Sequence, residues 1–231
     1  MTQAKAAVFE QLQHSLIVSC QAEEGFPLNK PEHLTAIAQT AVIGGASAIR
    51  ASIPVNIRAM KQVLQVPIIG IYKKDYPGFD VRITPTLVEV EAIVQAGSDI
   101  IALDATFRPR PDGKGFADLF QNIRDRFDVP IMADISTFEE GVHAAELGVD
   151  LVGTTLSGYT ATSKKQPGPD IELIRRLATA VDLPVIAEGR ISSPEDVRAA
   201  LAAGAYAVVV GSMITRPHLI TQYFLTGLLP E

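Results

Sequence analysis

Three short apolar runs open next to a proline and close on an ionisable side chain: Val66-Pro67-Ile68-Ile69-Gly70-Ile71-Tyr72-Lys73, Val129-Pro130-Ile131-Met132-Ala133-Asp134 and Leu183-Pro184-Val185-Ile186-Ala187-Glu188. Runs this short, without the alternation of a half-wet sheet, predict strands buried on both faces. A lysine, an aspartate and a glutamate therefore arrive at equivalent ends of equivalent strands.

A second set of runs follows a glycine. Gly45, Gly97, Gly148 and Gly204 each stop a helical stretch and precede a run, at nearly regular intervals. Counting Ser15–Cys20 as the first, the chain reads as eight strands alternating with helices, preceded by an opening helix from Gln3 to Gln13. Helix starts are marked by Pro31, by Pro54 ahead of Ile57, Met60 and Leu64, and by Ser193-Pro194. Thr86 with Glu89 and Thr137 with Glu140 form capping-box patterns. A fourfold repeat of a (βα)₂ unit closes naturally into a (β/α)₈ TIM barrel, here with an extra N-terminal helix, as one domain over residues 1–231. A doubly wound open sheet fits less well, because no Gly-x-Gly-x-x-Gly follows the first run.

Composition narrows the function. The net charge of -6 and the absence of a lysine/arginine run argue against a nucleic-acid partner. No apolar stretch reaches the roughly 18 residues that span a bilayer, so no membrane partner is expected. Cys20 is the single cysteine, and residues Met1 to His14 lack the apolar segment of a signal peptide, which together predict a cytoplasmic protein.

In such a barrel the reacting groups sit where strands feed the following loops. Those positions include Gln21, Arg50, Lys73, Asp104, Asp134, Thr155, Glu188 and Gly211. Parity sorts them, since side chains two apart on a strand share a face. Counted from the prolines, Lys73, Asp134 and Glu188 share one parity; counted from the glycines, so do Arg50, Asp104, Thr155 and Gly211. Lys74 points the other way. A lysine desolvated beside Arg50 has a lowered pKa and serves as a base, with Glu188 as its acid/base counterpart. Asp134 and Gln21 are read as substrate contacts, with a structural hydrogen-bonding role open for Gln21.

Gly189-Arg190 after the seventh run and Gly211-Ser212 after the eighth, with Arg216 close behind, fall where many barrels hold a phosphate. His14, His33, His143 and His218 end no predicted strand and have no ligand spacing, so neither a metal nor another cofactor is expected. Cys20 is read as a small core residue. The polar segment from Ser157 to Gly168 is either a binding loop or a solvated one. The closing helix is apolar on more than one side at Leu219, Ile220, Phe224, Leu225, Leu228 and Leu229, which suggests a homodimer.

The chain resembles the N-acetylmannosamine-6-phosphate 2-epimerase family of bacterial sialic acid breakdown. The likeness rests on the joint order of Ser19-Cys20-Gln21-Ala22, Ile49-Arg50, Gly70-Ile71-Tyr72-Lys73, Ile83-Thr84-Pro85-Thr86, Ala102-Leu103-Asp104-Ala105-Thr106, Met132-Ala133-Asp134-Ile135-Ser136-Thr137, Gly153 to Thr160, Ala187-Glu188-Gly189-Arg190 and Gly211 to Pro217. It implies a metal-independent isomerase, an N-acylglucosamine-6-phosphate 2-epimerase acting on a phosphorylated N-acetyl amino sugar by proton abstraction and return at C2. Lys73 then looks like the base and Glu188 its acidic counterpart. Gln21, Arg50 and Asp134 look like substrate contacts, and Gly189, Gly211, Ser212 and Arg216 like the phosphate end. Family members dimerise. The stretch from Arg108 to Gly115 matches no usable motif and reads as surface loop. Other readings stay open: a different phosphate-binding barrel such as a ketose-aldose isomerase or thiamine-phosphate-type synthase, or a non-catalytic sugar-phosphate sensor.

Overall fold

In the computed structural model, which describes residues 3–228, α1 (Gln3–Leu12) precedes a strict alternation of strand and helix. The elements are β1 (Leu16–Cys20), α2 (Pro31–Ile43), β2 (Ala48–Ser52), α3 (Pro54–Lys61), β3 (Ile68–Ile71), α4 (Leu87–Gln95), β4 (Ile100–Asp104) and α5 (Phe116–Arg124). They continue with β5 (Ile131–Asp134), α6 (Phe138–Leu147), β6 (Leu151–Gly153), α7 (Ile171–Ala180), β7 (Val185–Glu188), α8 (Pro194–Ala202) and β8 (Ala207–Val210). Two further helices, α9 (Ser212–Thr215) and α10 (Pro217–Leu225), and a 3₁₀ turn at Thr226–Leu228 close the chain. Met1 and Thr2 of the opening stretch and Leu229 of the closing one lie outside the described residues.

Consecutive strands pair in parallel, and β8 pairs with β1, so the sheet closes as the expected (β/α)₈ barrel. Period-two alternation divides its side chains. Ile17, Ala48, Ile69, Ile100, Met132, Leu151, Ile186 and Ala207 fill the interior. Val18, Ile49, Ile101, Leu103, Val152 and Val208 point out against the helices. The extra helix α1 closes the lower end: Leu12 is fully buried in the interior cluster, with Val8 and Phe9 against it.

The local signals act as chemistry requires. Gly45, Gly97, Gly148 and Gly204 all take φ between 92° and 105°, a region open to glycine and costly for other residues. Both predicted capping boxes form, at Thr86/Glu89 and Thr137/Glu140, and Ser193 caps α8. Among the described residues no helix is long and apolar enough to cross a membrane.

Three boundaries differ from expectation. The opening helix stops at Leu12, and α3 stops at Lys61, leaving Leu64 buried from the turn that follows. More consequentially, β3 ends at Ile71, and Lys73 lies two residues beyond it in a single antiparallel bridge with Ile83. The chain there leaves the barrel wall and doubles back as a hairpin.

Candidate active site

The upper end of the barrel opens into a cavity of about 740 Å³. Lys73, Glu188 and Gln21 line it, as do Gly189, Arg190, Gly211, Ser212 and Arg216. The positions that parity selected gather at this end: Lys73, Asp104, Thr155, Glu188 and Gly211 line the cavity, and Arg50 and Asp134 lie beneath it. Lys74 does point away, toward Glu89 at 3.4 Å.

Beneath the cavity lies an ion cluster that the barrel's curvature assembles from β2, β5 and β7. Arg50 donates to both oxygens of Asp134, at 3.0 and 2.5 Å, and to Glu188 Oε2 at 2.8 Å. Thr155 Oγ1 donates to Asp134 Oδ1 at 2.6 Å and reaches Glu188 Oε2 at 3.3 Å. Arg50 and Asp134 are 1% and 0% exposed and are not among the cavity's lining residues. They form its floor. Burial alone would lower the Arg50 pKa, but the charges of Asp134 and Glu188 raise it, so the guanidinium stays ionised.

Glu188 has the opposite balance. Burial pushes its pKa up and Asp134 adds to the rise, against the pull of Arg50 and Lys73. Its backbone is fixed by Thr154, whose hydroxyl accepts from Glu188 N at 3.1 Å and donates to Glu188 O at 3.0 Å. Lys73 is lowered to about 8, by desolvation first and then by the charges of Arg50 and Arg216. Water still reaches its side chain at the open mouth, so the desolvation is realised in full once a ligand fills the cavity. An amine and a carboxyl group with converging pKa values thus face one cavity, each sensing the other's charge.

The loops after β7 and β8 bring Gly189, Arg190, Gly211, Ser212 and Arg216 to the cavity. Gly189 adopts φ +114°, and a Cβ on Gly211 would stand 3.2 Å from Ser19 Cβ, so both positions favour a bare backbone. Arg216 pairs with Glu23 at 3.1 Å. Arg190 has another occupation: its Nε donates to Gly168 O at 2.7 Å and its Nη1 to Ser157 O, with the guanidinium over the Tyr159 ring. It ties down both ends of the 157–168 loop, and Tyr159 on that loop lines the cavity. Gln21 donates from Nε2 to Ser19 Oγ at 2.9 Å.

Sequence reasoning missed Arg82, Asp80 and Arg108, which also line the cavity. The surface-loop expectation for 108–115 fails at its start. Arg108 Nη2 pairs with Asp104 at 2.5 Å, and Arg110, 1% exposed, donates to Pro85 O and Asp104 O. Two arginines four and six residues after a strand-end aspartate were the available signal. Cys20 faces outward, its thiol donating to Leu34 O, and burial pushes it up to about 12, a core residue as expected. No histidine lines the cavity, and no group of three or more His, Cys, Asp or Glu side chains among the described residues could hold a metal.

A closed (β/α)₈ barrel that gathers an amine, a carboxyl group and several guanidinium groups around one cavity has the chemical makeup of a small-molecule barrel enzyme. The family model described as "NanE: Putative N-acetylmannosamine-6-phosphate epimerase" matches residues 34–228, and the chain belongs to that family. Among relatives described as "Putative N-acetylmannosamine-6-phosphate 2-epimerase", one from Caldanaerobacter subterraneus subsp. tengcongensis is 50% identical over 95% of this chain and 93% of its own. One from Clostridioides difficile is 43% identical over 96% and 99%. The solved N-acetylmannosamine-6-phosphate 2-epimerase of Clostridium perfringens superposes with a TM-score of 0.92 at 45% identity, covering 96% of each chain. A thiamine phosphate pyrophosphorylase from Pyrococcus furiosus, 16% identical with a TM-score of 0.61 over 96% of this chain and 100% of its own, shares the fold alone.

Proposed function

We propose that this chain, acting as one barrel unit, interconverts N-acetylmannosamine 6-phosphate and N-acetylglucosamine 6-phosphate by moving a proton at C2. The observation that carries the reading is the meeting of Lys73 and Glu188 in one cavity that Gly189, Gly211, Ser212 and Arg216 also line. The chemistry follows from the substrate. Opening of the pyranose places an aldehyde at C1, which acidifies the C2 proton. The neutral Lys73 amine takes that proton, and the positive potential of Arg50 favours the enolate that forms. Glu188, whose carboxyl group burial favours protonated, exchanges a proton with the sugar oxygen during ring opening. Return of a proton to the other face of C2 completes the epimerisation. Arg216 binds the phosphate, for which Glu23 must yield. Arg50 acts from below by holding Glu188, Asp134 by anchoring Arg50 and Thr155, and Arg190 by holding the loop that bears Tyr159.

Incubating the purified chain with N-acetylmannosamine 6-phosphate and following the N-acetyl proton signals tests the reading. Conversion without added divalent ion is the expected result. Binding without conversion favours a sugar-phosphate sensor, and activity only with a divalent ion favours a synthase-like barrel.

We further propose that the enzyme works in the reducing cytoplasm, in keeping with its single buried thiol, and as a homodimer joined through the C-terminal segment. Tyr223, Phe224, Leu225 and Leu228 are 56%, 72%, 51% and 80% exposed, an apolar surface that favours a protein contact. Light scattering is expected to return twice the chain mass of 24.7 kDa; a monomeric mass refutes the dimer.

A further inference from the structure

Lys73 stands outside the regular barrel ladder, so something other than strand pairing must aim it. Glu188 is a strand residue pinned at both its N–H and its C=O by Thr154. By contrast, the backbone N–H of Lys73 has only a long contact, 3.4 Å, to Ser52 Oγ. Strands β3 and β4 pair only at Ile69↔Ile100 and Gly70↔Ile101, and above that point they part. The return arm of the hairpin enters the gap. Ile83 O accepts from Asp104 N at 3.0 Å, and Lys74 N donates to Arg82 O at 3.0 Å.

Thr84 is the joint of this wedge. Its backbone N–H donates to Tyr72 O at 2.9 Å, and its hydroxyl accepts from Tyr72 N at 3.1 Å while donating to Ala102 O at 2.7 Å. The residue immediately before Lys73 is thus held at both backbone groups by one threonine, which also bridges to β4. Thr84 is fully buried and sits at φ +47°, an outlier for a β-branched residue, made tighter by the proline that follows. A second strained β-branched residue flanks the same strand end: Ile53, at φ 65° and ψ 143°, donates its N–H to Ile71 O at 3.0 Å. Strain held in place by surrounding structure is a mark of functional sites. Of the four non-glycine residues with positive φ among those described, these two grip the β3 end and Arg190 lies two residues after Glu188.

We propose that Thr84 is a positioning residue that sets the direction of the Lys73 side chain, through the pair of hydrogen bonds that bind Tyr72 to β4. The proposal rests on the reading of Lys73 as the base. Removing the hydroxyl frees Tyr72 N–H and Ala102 C=O, loosens the chain at its exit from β3, and lets the amine swing toward water. The phosphate end is untouched.

The test compares Thr84→Ala, Thr84→Gly and Thr84→Ser with wild type and with Lys73→Ala, reading kcat, KM, the pH profile and the thermal midpoint. Misplacement of a reacting group by about 1 Å costs up to roughly a hundredfold, so Thr84→Ala is expected to lose about ten- to a hundredfold in kcat with little change in KM. Its alkaline rise in rate moves to higher pH, because a solvated lysine titrates nearer its ordinary value. Thr84→Gly relieves the backbone strain, so it melts no lower than Thr84→Ala yet is equally slow, while Thr84→Ser keeps the hydroxyl and most of the rate. Wild-type kcat in Thr84→Ala beside an inactive Lys73→Ala overturns this proposal alone. So does a loss of rate that simply follows the thermal midpoint across all the variants. An active Lys73→Ala enzyme removes the lysine reading and the proposal with it.

Discussion

Lys73→Ala lowers kcat by about a thousandfold, within the range that a positioned acid/base group supplies, and changes KM far less. The asymmetry arises because the amine faces the carbon that loses a proton, whereas affinity resides at the Arg216 rim. Wild-type kcat rises with pH through about 8, the value to which desolvation, Arg50 and Arg216 bring the lysine once a ligand fills the cavity. The sign follows from the role: a base works in its neutral form, which is scarce below that pH and saturates above it. In the variant this rise disappears. Lys73→Arg does not rescue, since a guanidinium stays protonated throughout. In deuterated water, wild-type turnover carries deuterium into C2 and the alanine variant leaves C2 protiated. A Lys73→Ala enzyme that still exchanges that hydrogen defeats the assignment.

Lys73 and its neighbours show what a linear chain reveals of such a site. Strand ends and their parity are local properties, and a period of two carried Lys73, Asp134 and Glu188 to one face without any knowledge of closure. The regular glycines were legible for a similar reason, each being forced by a left-handed turn. Who meets whom across the barrel was not legible. Arg50 and Asp134 are 84 residues apart, and their contact depends on strand tilt and on the width of the closed cylinder. Read from their ends alone, both looked like substrate contacts, and nothing local announced that they pair with each other beneath the cavity. Lys73 illustrates the converse limit, because its hairpin depends on Thr84 turning into a gap between β3 and β4 that no periodicity announces. Arg190 was placed correctly beside Glu188, but the loop carbonyls of Ser157 and Gly168 that occupy its guanidinium come from an irregular segment. For irregular backbone, composition says only that a loop exists.

Asp134→Ala is expected to be the most destabilising single change at the site. Arg50 is 1% exposed and would be left with one carboxylate in place of two. Breaking a buried pair by removing one partner typically costs about 3–5 kcal/mol, which for a chain of this size lowers Tm by roughly 6–20 °C. Activity falls as well, by a separate route. Asp134 now raises the pKa of Glu188 and shares Arg50 with it. With Asp134 gone, both effects reverse: the repulsion disappears and the guanidinium turns wholly to Glu188, so the carboxyl group ionises at lower pH and its proton is lost to the reaction. The double variant Arg50→Met/Asp134→Leu separates the two losses. Replacing a buried ion pair by apolar side chains of similar volume is often neutral or stabilising, so this variant should recover part of the lost Tm, the remainder reflecting the loss of the Arg50–Glu188 pair, while remaining inactive, because Glu188 has neither its anchor nor the positive potential beside the enolate. Thermal melts of the three proteins, run beside the N-acetyl proton assay, give both readouts. An Asp134→Ala protein that melts within a degree or two of wild type would mean that the Arg50–Asp134 pair is not what holds the floor of the cavity together.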